Sequence, residues 1–170
     1  MCGIVGISNH KEAAKIAYTA LYALQHRGEE AAGIASFNNK EMHIIKNRGL
    51  VADAFDEKSL CELNGNVEIG HCRYSTTGSS NTRNIQPFFV THRKKQIAIA
   101  HNGNLTNTEQ LYRQLEEQGS IFQTSMDSEI IVHLLARTQN EDLKKMFIDV
   151  LTQLRGAFSL IFLVDDVLIG

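Results

Sequence analysis

The chain has 170 residues, is 43% apolar, carries a formal charge of −2 and contains three cysteines. That length supports one domain with a real core, and a near-balanced charge with no basic run longer than Arg93-Lys94-Lys95 excludes a nucleic-acid or membrane-surface binder. No apolar run approaches the ~18 residues a membrane span needs, the N-terminus lacks a signal-peptide pattern, and an odd cysteine count argues against a disulfide framework and for a reducing cytoplasm.

Residues 2–7 (CGIVGI) read as an opening strand. Ala13, Ile16, Ala17, Ala20, Leu21 and Leu24 recur at helical spacing and predict a helix over about 11–25. Gly28 just beyond suits a left-handed helix stop. Strands are expected at 33–37 and 42–46 about the Asn38-Asn39 turn, at 67–73, and at 88–91 and 96–100 about the basic tip. Thr106-Asn107-Thr108-Glu109 has the form of a capping box, opening a helix that stops near Gly119. Asp127 suits an N-cap for a second helix, with Ile130, Ile131, Leu134 and Leu135 on one face. A third helix, about 141–154, precedes an apolar strand at 157–164, a turn at Asp165-Asp166 and the start of another strand. Strands in hairpin order favour packed antiparallel sheets with helices outside. A chain that stops inside a hairpin is expected to be a fragment, incomplete at its C-terminus.

Cys2 is the most informative residue. With the initiator Met removed, its thiol and the chain's α-amine share one carbon. Ordinary pKa values of about 8.5 and about 7.7–8.0 leave both partly in the reactive form at neutral pH, so one residue supplies a nucleophile and its base. Four further segments look too specific for generic loops. LQHRG at 24–28 carries His26 and Arg27. GHCRYSTTG at 70–78 places Arg73 at a strand end, where a guanidinium can grip a carboxylate through two hydrogen bonds. HNGNL at 101–105, between a strand and a helix, offers the Asn102 amide and the Gly103 N–H as neutral donors to an oxyanion. SMDSE at 125–129 offers Asp127 as an anion. Together they suit a free amino acid with a carbonyl to attack, and glutamine is the natural candidate. Cys61 and Cys72 form no Cys-x-x-Cys pair, so no metal site is expected; Cys72 should pack beneath Arg73, and His71 and His101 read as structural.

MCGIVG opening the chain, followed in order by LQHRGEEAAGI (24–34), RYSTTGSS (73–80), QPF (86–88), AHNGNLTN (100–107) and DSEII (127–131), resembles the class II, N-terminal nucleophile, glutamine amidotransferase domain. Within that class the chain is most similar to the amidophosphoribosyltransferase family. The resemblance covers essentially all of residues 1–170 and implies an α+β fold, a four-layer α/β/β/α sandwich lacking its last strands. It implies that Cys2 attacks the glutamine side-chain amide, that Asn102 and Gly103 hold the oxyanion, and that Arg73 and Asp127 bind the substrate's α-carboxylate and α-ammonium. Arg27 and Tyr74 would support the pocket and Thr76 would line it. Ammonia would pass to a phosphoribosyltransferase domain absent from this chain, which makes 5-phosphoribosylamine from phosphoribosyl pyrophosphate in the first committed step of purine synthesis. Mg²⁺, and in some members an iron–sulfur cluster, would belong to that domain, with no cofactor in this chain. A cytoplasmic homo-oligomer with no membrane or nucleic-acid partner is expected. The competing readings are the glutaminase half of a glucosamine-6-phosphate or asparagine synthase, and a non-catalytic remnant of the fold.

Overall fold

The computed structural model describes residues 1–74, 82–140 and 142–170. The chain divides into two units, Met1–Asn102 with Ser159–Gly170, and Gly103–Phe158. In the first, strands β1 (Gly3–Ile7), β2 (Ala31–Phe37), β3 (Met42–Arg48) and β4 (Val67–Arg73) form a sheet in the order β1-β4-β2-β3, all antiparallel. Strands β5 (Phe88–His92), β6 (Lys95–Leu105), β7 (Gly156–Val164) and β8 (Val167–Ile169) form a second sheet in that order, with β5–β6 and β7–β8 antiparallel. Antiparallel sheets with outlying helices are the α+β arrangement expected.

Strand alternation explains the layers. On β2, Ala32 and Ile34 turn to helix α1 (Ala13–Leu24), joining Ala17, Leu21 and Cys72 in one cluster. Ala35 and Phe37 turn the other way and join Val67, Ile69, Ala98, Ala100 and Leu163 between the two sheets. A strand buried on both faces is apolar throughout rather than alternating, which is why AAGIASF shows no amphipathic signature. Burying a side chain such as Leu21 or Ile34, neither exposed at all, stabilises by about 1.5–3 kcal/mol.

Two short helices, α2 (Val51–Ala54) and α3 (Glu57–Glu62), fill the stretch before β4. Neither is long enough to display a 3.6-residue period. A local signal for α3 was present: Asp56 accepts from the Ser59 N–H at 2.7 Å while Ser59 Oγ accepts from the Asp56 N–H at 2.9 Å.

The second unit holds α4 (Thr108–Glu117), α5 (Asp127–Arg137) and α6 (Leu143–Leu151), with α5 packed against both of the others. The expected capping box at 106–109 does not form. Asn107 is the N-cap, and its side chain instead ties the helix to the segment ahead of β7, donating to Gln153 O at 2.9 Å and accepting from Arg155 N at 3.0 Å. The stop at Gly119 is as expected: φ is +86°, the Gly119 N–H reaches Glu116 O and the Ser120 N–H reaches Leu115 O, the paired bonds of a Schellman motif.

Candidate active site

Cys2 lies just ahead of β1, half-buried, with Sγ 3.9 Å from Tyr74 O. Tyr74 follows the last residue of β4, so the β1–β4 pairing, Gly3 opposite Cys72, delivers the thiol to the end of the strand that carries Arg73. After α1 the chain tightens into a 3-10 turn, Gln25–Arg27, and Arg27 Nε donates to Cys2 O at 3.1 Å. The 3-10 turn tightens the helix end and leaves Arg27 within reach of the residue that precedes β1.

Gly28 does not end the helix in a left-handed conformation. Its φ is −170°, extended backbone open to any residue. Glycine is required for a different reason: a Cβ would stand 2.5 Å from Arg73 C, 2.7 Å from Arg73 O and 2.8 Å from Cys72 O. The turn therefore presses directly on the backbone that presents Arg73. Glu30 completes this contact. Its N–H donates to Arg73 O at 3.1 Å, and its Oε1 lies 3.7 Å from Arg73 Nη1, with the guanidinium side chain 14% exposed. At 3.7 Å the pair is an ionic contact rather than a hydrogen bond. A guanidinium has five donors in all.

The structure thus brings Cys2, Arg27, Arg73 and Tyr74 together, and adds Glu30. Glu30 falls inside the 24–34 motif, but only the β2–β4 register, Ala31 opposite Arg73, shows which cation it meets. Cys72 is not beneath Arg73. Alternation turns it to the opposite face, where Sγ lies 3.6 Å from Leu24 O and burial pushes its thiol pKa up. His71 shares the Arg73 face, is wholly buried, and is pushed down to about 3 by burial, against the opposing pull of a hydrogen bond with the His101 backbone, so it is neutral at physiological pH.

Asn102 and Gly103 are not in a loop between strand and helix: β6 continues through both to Leu105. Asn102 is the last residue of the first unit's main segment, and Gly103 and Asp127 belong to the second. Gly103 has φ +136°, which side chains rarely adopt, and a Cβ there would stand 2.3 Å from Ala157 O. Asp127 is the first helical residue of α5, and Met126 rather than Asp127 occupies the N-cap position expected of it. Thr76 lies outside the described residues.

The family described as "Glutamine amidotransferase domain" matches residues 71–167. Amidophosphoribosyltransferase 3, chloroplastic, of Arabidopsis thaliana is 46% identical over 99% of this chain and 32% of its own length. The amidophosphoribosyltransferase of Methanocaldococcus jannaschii is 47% identical over 100% of this chain and 37% of its own. A solved structure of "the allosteric regulatory enzyme of purine biosynthesis" superposes with a TM-score of 0.92 at 39% identity, covering 97% of this chain and 36% of that one. The chain therefore spans about a third of the length of these relatives. With more than half of its residues matched by the family, the chain belongs to the glutamine amidotransferase domain family.

Proposed function

We propose that this chain is the glutaminase part of an amidophosphoribosyltransferase. The observation that carries the reading is the placement of Cys2: its carbonyl is held by Arg27 and its thiol stands beside the carbonyl of Tyr74, the residue after Arg73. Met1 is 74% exposed, so its removal meets no steric obstacle and transfers the α-amine to Cys2. The thiol then attacks the side-chain amide carbon of glutamine, and the α-amine takes the thiol proton and returns it to the departing ammonia. Asn102 Nδ2 and the Gly103 N–H stabilise the oxyanion, where one such donor contributes about 2.7–4 kcal/mol to the transition state. Arg73 grips the α-carboxylate through its planar fork and Asp127 receives the α-ammonium. Arg27 steadies the nucleophile's backbone, Tyr74 borders the thiol, and Thr76 lines the pocket. Water hydrolyses the thioester and glutamate leaves.

In a protein of the relatives' length, the ammonia meets phosphoribosyl pyrophosphate at a phosphoribosyltransferase site and yields 5-phosphoribosylamine, the first committed step of purine synthesis. Mg²⁺, and any iron–sulfur cluster, belong with that site. The described residues here do not fit a metal, because no three His, Cys, Asp or Glu side chains are grouped to hold one. No helix among the described residues is long and apolar enough to cross a membrane. We assign the activity to a cytoplasmic homo-oligomer.

The test is intact mass before and after treatment with 6-diazo-5-oxo-norleucine, a glutamine-shaped electrophile. Loss of Met1 and one stoichiometric adduct, absent from Cys2→Ala, is the expected result. In a longer protein Cys2→Ala should also lose glutamine-dependent synthesis and keep ammonia-dependent synthesis. A Cys2 that iodoacetamide alkylates but the glutamine analogue does not would refute the reading.

A further inference from the structure

The DSEII segment contains a carboxylate to which the glutaminase chemistry assigns no part. Glu129 is the third residue of α5 and is 3% exposed. A glutamate at that position ordinarily reaches back to the N–H of the N-cap residue. Glu129 reaches further. Its Oε1 accepts the Gln123 N–H at 2.8 Å, and its Oε2 accepts the Thr124 N–H at 2.7 Å and the Thr124 hydroxyl at 2.6 Å. Thr124 Oγ1 in turn accepts the Met126 N–H at 3.2 Å. Met126 is the N-cap, and the next residue is Asp127.

Beyond Ser120, whose N–H still reaches α4, residues 121–126 lie outside any helix or strand, and their backbone donors need other partners. One carboxylate therefore takes two successive amides and a hydroxyl, and the hydroxyl passes the constraint to the residue before Asp127. His133 Nε2, at 3.8 Å from Oε1, is beyond hydrogen-bond reach, and burial lowers its pKa, so it is an ionic partner of Glu129 only when protonated. Three donors on one buried carboxylate tie residues 123 and 124 to α5, beside the Phe122 ring that packs on Tyr112 and His133.

We propose that Glu129 is the positioning residue for Asp127, fixing the 123–126 segment so that the site selects amides bearing an α-ammonium. The proposal deepens the glutaminase reading and rests on it for the role of Asp127. Glutamine is isosteric with Glu129, but its amide NH₂ faces a donor wherever its oxygen serves the other amide. Glu129→Gln therefore loosens the segment without removing a charge that touches substrate.

The experiment compares hydrolysis of glutamine with that of glutaramate, which is glutamine without its α-amino group, and follows amide hydrogen exchange over 123–126. Glu129→Gln should raise KM for glutamine by about ten- to a hundred-fold, as expected for misplacing a binding group by about 1 Å. KM for glutaramate should be unchanged, Asp127→Asn should add nothing in the Glu129→Gln background, and the 123–126 amides should exchange faster while α6 stays protected. An equal rise for both amides, additive effects, or unchanged exchange would overturn the proposal. Asp127→Asn leaving the glutamine-to-glutaramate ratio unchanged would instead defeat the ammonium role of Asp127, with the exchange data still judging the clamp. Thr124→Val removes one link of the same chain and gives the same readouts should Glu129→Gln not fold.

Discussion

Glu68 stands in the middle of β4 with no exposed surface, on the face that turns toward α1. Its hydrogen-bond partner is a single hydroxyl: Ser36 Oγ donates to Oε1 at 2.8 Å and itself accepts the Gly65 N–H at 2.9 Å. Burial raises the Glu68 pKa from 4.5 to about 8, with the Ser36 bond opposing only part of the effect. The folded protein thus holds a proton on Glu68 at neutral pH and the unfolded chain does not. Because the folded pKa is the higher one, stability is at its fullest below pH 4.5 and declines as pH rises toward 8, by about 1.4 kcal/mol per pH unit. The loss approaches about 3 kcal/mol by pH 7 and levels off near pH 8, a large share of the roughly 5–15 kcal/mol that holds a domain folded.

Glu68→Gln removes the titration and keeps an acceptor for Ser36. An unpaired neutral donor, the protonated Glu68 carboxyl in one protein and the substituted amide in the other, costs about 1–3 kcal/mol in either, so the two should match near pH 4.5 and diverge as pH rises. Urea unfolding from pH 4.5 to 9 measures this. Other groups, including His71, titrate alike in both proteins and cancel in the difference. The expected outcome is a variant that is equal in stability at pH 4.5 and more stable by about 3 kcal/mol at pH 7, with an unchanged m-value. A stability difference that does not vary with pH would refute the buried neutral carboxyl.

Arg73→Ala should raise the glutamine KM by about ten- to a hundred-fold, the value of a charge-assisted contact, with Cys2 still alkylated by iodoacetamide; Arg73→Lys should fall between, keeping the charge without the fork. An unchanged KM removes Arg73 from the site. Gly28→Ala and Gly119→Ala separate two uses of glycine. At Gly28 the new methyl meets only backbone within 2.8 Å, so it should destabilise by about 1–3 kcal/mol or more and disturb Arg73. At Gly119 nothing lies within 4 Å, and the φ of +86° alone should cost about 1 kcal/mol. A urea series in which Gly28→Ala is the milder of the two would contradict the close approach.

Elements were legible where one local rule governed them. β4 spans 67–73 as its alternation and flanks predict, and the Gly119 stop follows from one residue's freedom. Rules failed where a distant partner made a better offer. Asn107, not Thr106, becomes the N-cap, and its side chain is taken by Gln153 O and Arg155 N rather than by the N–H groups of the helix. β6 runs through the HNGNL motif, although Asn-Gly reads as a turn, because the long β7 lies beside it. Gly28 sits at a helix end and invites the left-handed reading, yet the backbone it must clear comes from a strand more than forty positions later. Nothing local to residue 28 encodes that approach.

The same division runs through three glutamates that a charge count treats as equal. Glu30 faces a guanidinium, Glu68 a hydroxyl, and Glu129 two amides and a hydroxyl. Each is half-buried or more, and the partner decides what the carboxyl does there. Beside a cation it holds a charge in place; beside a lone hydroxyl it is more stable with its proton; against several N–H and O–H donors it organises a loop. Partners are set by strand register for Glu30 and Glu68 and by helix phase for Glu129, and a shift of one residue would exchange their faces. Motifs rich in Cys, Arg, Asn and Asp announce the groups proposed to meet substrate, because the sequence alone shows their residue types and their spacing. The groups that hold them in place are ordinary acids whose duty exists only once the register is known.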